Sequence, residues 1–164
     1  EKPLIAMIRG YCLGGGLGTA LAADIRIAAE GAQFAIPAAR LGLGYGFAGV
    51  KVLTDLVGPA MAREILFTAR RFTAEEAQQI GLINRLVPVD ALEPTVRELA
   101  ETIAANAPLT IRAAKYAITE ACKDSEARDL ATLEAMVAAC FDSADYAEGR
   151  LAFKQKRPPK FSGR

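Results

Sequence analysis

Four glycines in five positions, Gly14-Gly15-Gly16-Leu17-Gly18, offer the first chemistry in this sequence. Lacking a Cβ, the backbone of such a run can come close to a ligand and adopt positive φ. The run leaves an apolar stretch and opens onto Thr19-Ala20-Leu21-Ala22-Ala23, a short apolar helical pattern. At a helix start the first N–H groups have no acceptor within the helix, and the dipole favours negative charge. Donors of this kind can hold an oxyanion or enolate as it forms, and losing one costs about 3 kcal/mol, roughly a hundredfold in rate. Two other uses stay open. The glycines can let strand and helix pack closely, or they can cradle a phosphate, although Leu17-Gly18 stands where a P-loop carries Lys-Ser/Thr.

A second cluster, Gly44-Tyr45-Gly46-Phe47-Ala48-Gly49, spells G-x-G-x-x-G and has Glu64 twenty residues beyond its first glycine, the spacing of a dinucleotide fingerprint. The context argues against that use: Pro37-Ala38-Ala39-Arg40 stands where an apolar strand should lead in, and Glu64 falls in a helical pattern. Tyr45 is the polar group in this stretch, either aimed at a ligand or packing its ring at the turn.

The chain has no histidine, which removes the commonest general base and the commonest zinc ligand. Cys12, Cys122 and Cys140 are odd in number and lack metal-type spacing, so they read as small buried hydrophobes. No metal is expected. Glu75, Glu76, Glu93, Glu98 and Glu101 recur at helical spacings among Ala and Leu and predict solvated faces. Asp24 reads as a turn or cap acceptor beside a strand, and Asp142 with Asp145 as the start of a helix. Twenty Lys and Arg against nineteen Asp and Glu give a net charge of +1, too weak a field to gather nucleic acid. No apolar run approaches the ~18 residues of a membrane span, and no secretory leader opens the chain, so a cytoplasmic protein is expected. Glu1-Lys2-Pro3 runs directly into an apolar strand, which predicts that further chain precedes it.

Elements to position these groups are legible. At 52% hydrophobic over 164 residues the chain can bury a core. Leu4–Ile8 predicts a buried parallel strand; with the glycine turn, the short helix and Asp24–Ala28 it forms a βαβ unit. Ala48–Val57 predicts a helix closed by Gly58, and Pro59 starts another reaching about Thr68. Thr73 and Glu76 form a capping box for a helix that Gly81 ends, before a strand over Leu82–Val87. Helices follow over 90–106, 108–122 and 125–141, and Ser143 caps a last one through Lys154, stopped by Pro158-Pro159. The pattern divides into an α/β core over residues 1–88 and a helical region over 89–164.

Lys2-Pro3-Leu4-Ile5-Ala6, Gly10-Tyr11-Cys12-Leu13-Gly14-Gly15-Gly16, Ala23-Asp24-Ile25-Arg26-Ile27-Ala28, Ala32-Gln33-Phe34, Gly81-Leu82-Ile83-Asn84-Arg85-Leu86-Val87-Pro88 and Glu148-Gly149-Arg150-Leu151-Ala152-Phe153 occur in an order that resembles the crotonase (enoyl-CoA hydratase/isomerase) superfamily over essentially the whole chain. The resemblance implies the C-terminal portion of a crotonase-like spiral of ββα turns, followed by a helical trimerisation region. It implies an acyl-CoA thioester substrate and no separate cofactor, coenzyme A being part of the substrate. A homotrimer or a hexamer built as a dimer of trimers is implied too. Gly15 would supply one backbone donor of an oxyanion hole, its partner lying in an earlier loop. Gly14, Gly16, Gly18, Ala38, Leu41, Gly46 and Lys156 are the implied substrate-binding positions, Lys156 approaching the CoA. The sequence departs from the family where hydratases carry two glutamates: those positions look to be Gly18 and Ala38, neither of which can move a proton. Gly46 likewise stands where a dehalogenase nucleophile would be. The Tyr45 segment resembles the methylmalonyl-CoA decarboxylase branch, in which a tyrosine orients the departing carboxylate. Decarboxylation forms the enolate without proton abstraction, so an oxyanion hole and a carboxylate-orienting group suffice. A CoA-thioester binder without catalysis is the remaining alternative.

Overall fold

The computed structural model describes residues 2–164, which form two compact units, Leu4–Glu98 and a second containing Leu99–Arg164. In the first, strands β1 (Ile5–Ile8) and β2 (Tyr11–Leu13) are followed by helix α1 (Gly15–Leu21), and β3 (Ile25–Ala29) and β4 (Gln33–Ala35) are followed by helix α2 (Phe47–Thr68). Each repeat gives one strand to each of two sheets. β1 pairs in parallel with β3, Ile5 opposite Ile25, and β2 in parallel with β4, Tyr11 opposite Gln33. Strands β5 (Phe72–Thr73) and β6 (Arg85–Val87) extend the sheets to the orders β2-β4-β5 and β1-β3-β6. This is the α/β spiral of ββα turns that the resemblance implies, with β2 added to the βαβ unit read from the residues.

Parallel pairing needs a crossover on each repeat, and the helices that supply it cover the sheets. Ile27, Phe34, Ile36, Leu53, Ile65 and Phe72 form the centre of the core, each nearly inaccessible to solvent. β1 is less buried than its composition predicts. Leu4 and Met7 are about half exposed because the strand lies at the edge of its sheet. Asp24 acts as the expected turn acceptor, its carboxylate taking the Leu4 N–H at 2.7 Å. The buried Arg26 guanidinium donates to Leu82 O at 2.8 Å and Ala23 O at 2.7 Å, and its amide to Asn84 Oδ1 at 2.8 Å. Those bonds hold Leu82–Asn84 as an irregular segment, which is why β6 starts at Arg85 rather than Leu82. Burial lowers the Arg26 pKa, with Asp24 opposing.

α2 contains a break at Gly58, φ 77° and ψ 160°, with Pro59 restarting the helix. The two-helix reading of this stretch therefore holds. Thr73 and Glu76 form the predicted capping box of α3 (Ala74–Gln79). Glu76 is not simply solvated, since its carboxylate also accepts from Arg70 Nη1 at 2.9 Å. Helix α4 (Leu92–Ala104) begins two residues later than predicted, after a 3-10 turn over Val89–Ala91.

The second unit carries α5 (Pro108–Ala121), α6 (Leu130–Phe141) and α7 (Ala144–Gln155). α6 starts later than the pattern at 125 predicts because Asp129, not an earlier residue, caps it, accepting from Thr132 N at 3.0 Å. Ser143 caps α7 as predicted. Asp142 ends α6 instead of opening α7, and Asp145 is buried and bonded to the chain's tail. Only Cys12 is buried; Cys140 is half-buried and Cys122 exposed, since α5 and α6 leave much of their surface open. Among the described residues no helix is long and apolar enough to cross a membrane.

Candidate active site

β2 ends at Leu13 and the chain turns at Gly14, whose φ of 51° lies in the left-handed region that favours glycine. Gly14 N–H donates to Ala35 O at 2.8 Å, and Gly14 O accepts from Gly18 N–H at 2.9 Å, fixing the turn at both ends. Between those ends, the Gly15 and Gly16 amides donate to no acceptor among the described residues. Both residues are exposed, and a Cβ at either would meet nothing within 4 Å. Thr19 Oγ1 bonds back to Gly15 O at 3.0 Å and leaves the amides untouched. Leu17, Ala20 and Leu21 anchor the helix to the core from its other side. The glycines therefore do not lead into the helix, as the sequence suggests. Gly15, Gly16 and Gly18 lie within it, behind the N-cap Gly14, and Leu17 among them is buried.

The β2–β4 pairing sets Leu13 opposite Ala35, which brings the 3-10 turn Pro37–Arg40 beside the glycine turn. A Cβ at Gly14 would lie 3.8 Å from Pro37 Cδ. Ala38 is buried, and its carbonyl accepts from Leu41 N and Leu43 N, both at 3.0 Å. Leu41 is exposed, and Gly46 is the exposed N-cap of α2. Tyr45 packs its ring against the core while half-exposed, and its hydroxyl stands 3.9 Å from where a Cβ at Gly18 would be. That hydroxyl has no hydrogen-bond partner among the described residues. Gly14, Gly18, Ala38 and Tyr45 are thus assembled around one end of β2 and β4 by pairing and close approach. Lys156 belongs to the other compact unit. It is exposed at the C-terminus of α7 with φ 53°, followed by Arg157, which holds Glu148 through two bonds at 2.6 and 2.9 Å.

Electrostatics sharpen the picture. Burial pushes the Cys12 thiol up, so this neighbour of the glycine turn stays protonated and unreactive at neutral pH. Glu64 is engaged by Arg70, through Nε at 3.1 Å and Nη2 at 3.0 Å, and Arg70 lies over the Phe72 ring. Those hydrogen bonds to Glu64 and Glu76 raise the Arg70 pKa. Glu64 is an ion-pair partner here, which disposes of a ribose-binding role. Sequence reasoning missed Pro37 beside Gly14, and Gly49, over which the Tyr45 ring lies: a Cβ at Gly49 would stand 3.0 Å from Tyr45 Cε1. The only signal for Gly49 was its place four residues after Tyr45, in a cluster that resembled a nucleotide fingerprint.

A family profile described as enoyl-CoA hydratase/isomerase matches residues 1–164. The chain is 39% identical over 161 residues to the crotonyl-CoA hydratase of Syntrophomonas wolfei, covering 98% of this chain and 62% of that protein. It is 40% identical over 168 residues to the carnitinyl-CoA dehydratase of Citrobacter koseri, covering 100% of this chain and 64% of the relative. Among solved structures, an enoyl-CoA hydratase from Mycobacterium marinum superposes with a TM-score of 0.91 at 38% identity, over 99% of this chain and 65% of the other. The chain therefore spans somewhat under two thirds of the length of these relatives.

Proposed function

This chain belongs to the enoyl-CoA hydratase/isomerase family, and from that premise we propose that it supplies part of an active site in which an acyl-CoA thioester is stabilised as its enolate. The observation that carries this reading is the pair of unclaimed amides at Gly15 and Gly16, on exposed residues at the start of α1. A thioester oxygen set before them meets donors that need no reorganisation as charge develops. Gly15 is the oxyanion donor in this reading. Gly14, Gly16, Gly18, Ala38, Leu41 and Gly46 shape the wall around the acyl group, and Lys156 contacts the CoA.

Which reaction follows depends on the groups that flank those amides. The named relatives are hydratases and dehydratases, yet neither Gly18 nor Ala38 offers a carboxylate for acid and base work on water. Tyr45 does offer a hydroxyl without a protein partner, standing above the Gly18 turn of α1. We therefore favour decarboxylation of an acyl-CoA bearing a carboxylate, with Tyr45 orienting the group that is lost. A homotrimer or a dimer of trimers fits the second unit, where an apolar cavity of about 630 Å³ is lined by Leu133, Val137, Phe141, Tyr146 and Phe153.

Incubating the protein with methylmalonyl-CoA and, separately, with crotonyl-CoA tests the reading. Turnover of the first, reduced about tenfold or more in Tyr45→Phe with CoA affinity held, is the expected result. Turnover of crotonyl-CoA alone would return the chain to hydration, and binding without turnover of either would leave a thioester binder.

A further inference from the structure

The geometry points to Gly49 as a positioning residue for Tyr45: its missing side chain is the space in which the tyrosine ring lies, and that seat sets where the hydroxyl stands over α1. The inference rests on the acyl-CoA reading of the site for its catalytic consequence, but the seat itself rests on contact geometry alone.

Gly49 occupies the first turn of α2, three residues after the N-cap Gly46. A glycine inside a helix lowers its stability relative to alanine, and this one has no positive φ to require it. Close approach favours it. A Cβ there would stand 3.0 Å from Tyr45 Cε1, tighter than carbon atoms ordinarily pack, so the ring would have to give by a few tenths of an ångström. Gly42, three residues before Tyr45, carries no such demand, since a Cβ there would meet nothing within 4 Å. At its other end the ring projects its hydroxyl to 3.9 Å from the Cβ position of Gly18. Gly15 and Gly18, three apart, share that face of α1. Tyr45 is thus held between two glycines, with Gly49 under the edge of its ring and Gly18 before its hydroxyl.

Alanine at 49 displaces the ring by a few tenths of an ångström, and a displacement of that order at a group that positions the reacting carboxylate should lower kcat by roughly fivefold while leaving KM unchanged. The test compares Gly49→Ala with Gly149→Ala, a helical glycine of the other compact unit, in protein labelled with 3-fluorotyrosine, the Tyr45 fluorine signal being assigned by its loss in Tyr45→Phe. The signal should move in Gly49→Ala and stay in Gly149→Ala. With the thioester that the protein turns over, the loss in kcat should appear in Gly49→Ala and vanish when the same change is made in a Tyr45→Ala background. An unmoved fluorine signal, or an equal loss of kcat with and without the tyrosine, overturns the proposal. A shifted signal in a protein that turns over neither methylmalonyl-CoA nor crotonyl-CoA upholds the seat and overturns the catalytic reading instead.

Discussion

The two compact units of this chain are held together by different forces. In Leu4–Glu98 the interior is apolar: Phe34, Phe72, Leu17, Ile27, Leu53 and Leu82 are each at most 1% exposed. From Leu99 onward the buried residues are two alanines, Ala113 and Ala152, and two carboxylates, Glu120 and Asp145. Several large apolar side chains of that second unit, among them Ile118, Leu130, Phe141, Leu151 and Phe153, remain exposed. Polar clasps take the place of a core. Glu120 accepts from Lys123 Nζ at 2.6 Å and Asp129 N at 2.7 Å, and the Lys123 bond in particular lowers its pKa. Asp145 accepts from Ser162 N at 2.7 Å and Gly163 N at 2.8 Å, while Glu148 holds Arg157 and the Lys160 amide. Apolar burial is non-directional and scales with area, whereas a clasp fixes the path of the chain and adds little net stability. The first unit is built to hold a rigid glycine turn. The second has a defined course but leaves large apolar side chains in solvent.

This contrast can be broken most sharply at Phe34. Phe34→Ala should cost about 3–5 kcal/mol in denaturant unfolding, since it empties the centre of the apolar interior. A loss below about 1 kcal/mol would mean that the first unit is not organised by its core. A smaller and more local effect is expected at Asp145. Asp145→Ala leaves the tail amides of Ser162 and Gly163 without their acceptor, at a cost of about 1 kcal/mol. Hydrogen exchange should show protection lost at Ser162 and Gly163 and kept around Phe34; protection lost equally in both regions would contradict the division. The mildest expectation concerns pH. Arg157 first, then the Lys160 amide, holds the Glu148 pKa at about 2 against an ordinary 4.5. Because the folded value is the lower one, the stabilisation is complete above pH 4.5 and is lost as pH falls from there towards 2. Water reaches this pair, so the effect should be confined to the tail. Protection of the Lys160 amide should fall through that window in the parent and show no such step in Glu148→Gln.

Local signals were read correctly where a few neighbouring residues decide the outcome. Thr73 with Glu76, Ser143, and the Gly58-Pro59 break each act within one turn of chain, and each stands as the sequence predicts. The short strands β2, β4 and β5 were not legible, because two or three residues carry no period and exist only through their partners. Asp145 stands in the first turn of α7 as predicted, but its burial against the tail was not legible, because its donors lie seventeen and eighteen residues away.

At the candidate site, the residue types were present in the sequence, and so was the absence of carboxylates at 18 and 38. The order of motifs along the chain also sufficed for the family resemblance, which implied the spiral, while apolar strand pattern and helix caps by themselves gave an α/β core followed by helices. Only the tertiary structure decided which glycine amides are taken and which are unclaimed, because that depends on Ala35 lying across the sheet from Gly14. It alone decided that Tyr45 rests on Gly49 and faces Gly18, since close approach between separate elements is set by packing and leaves no periodic trace in the sequence.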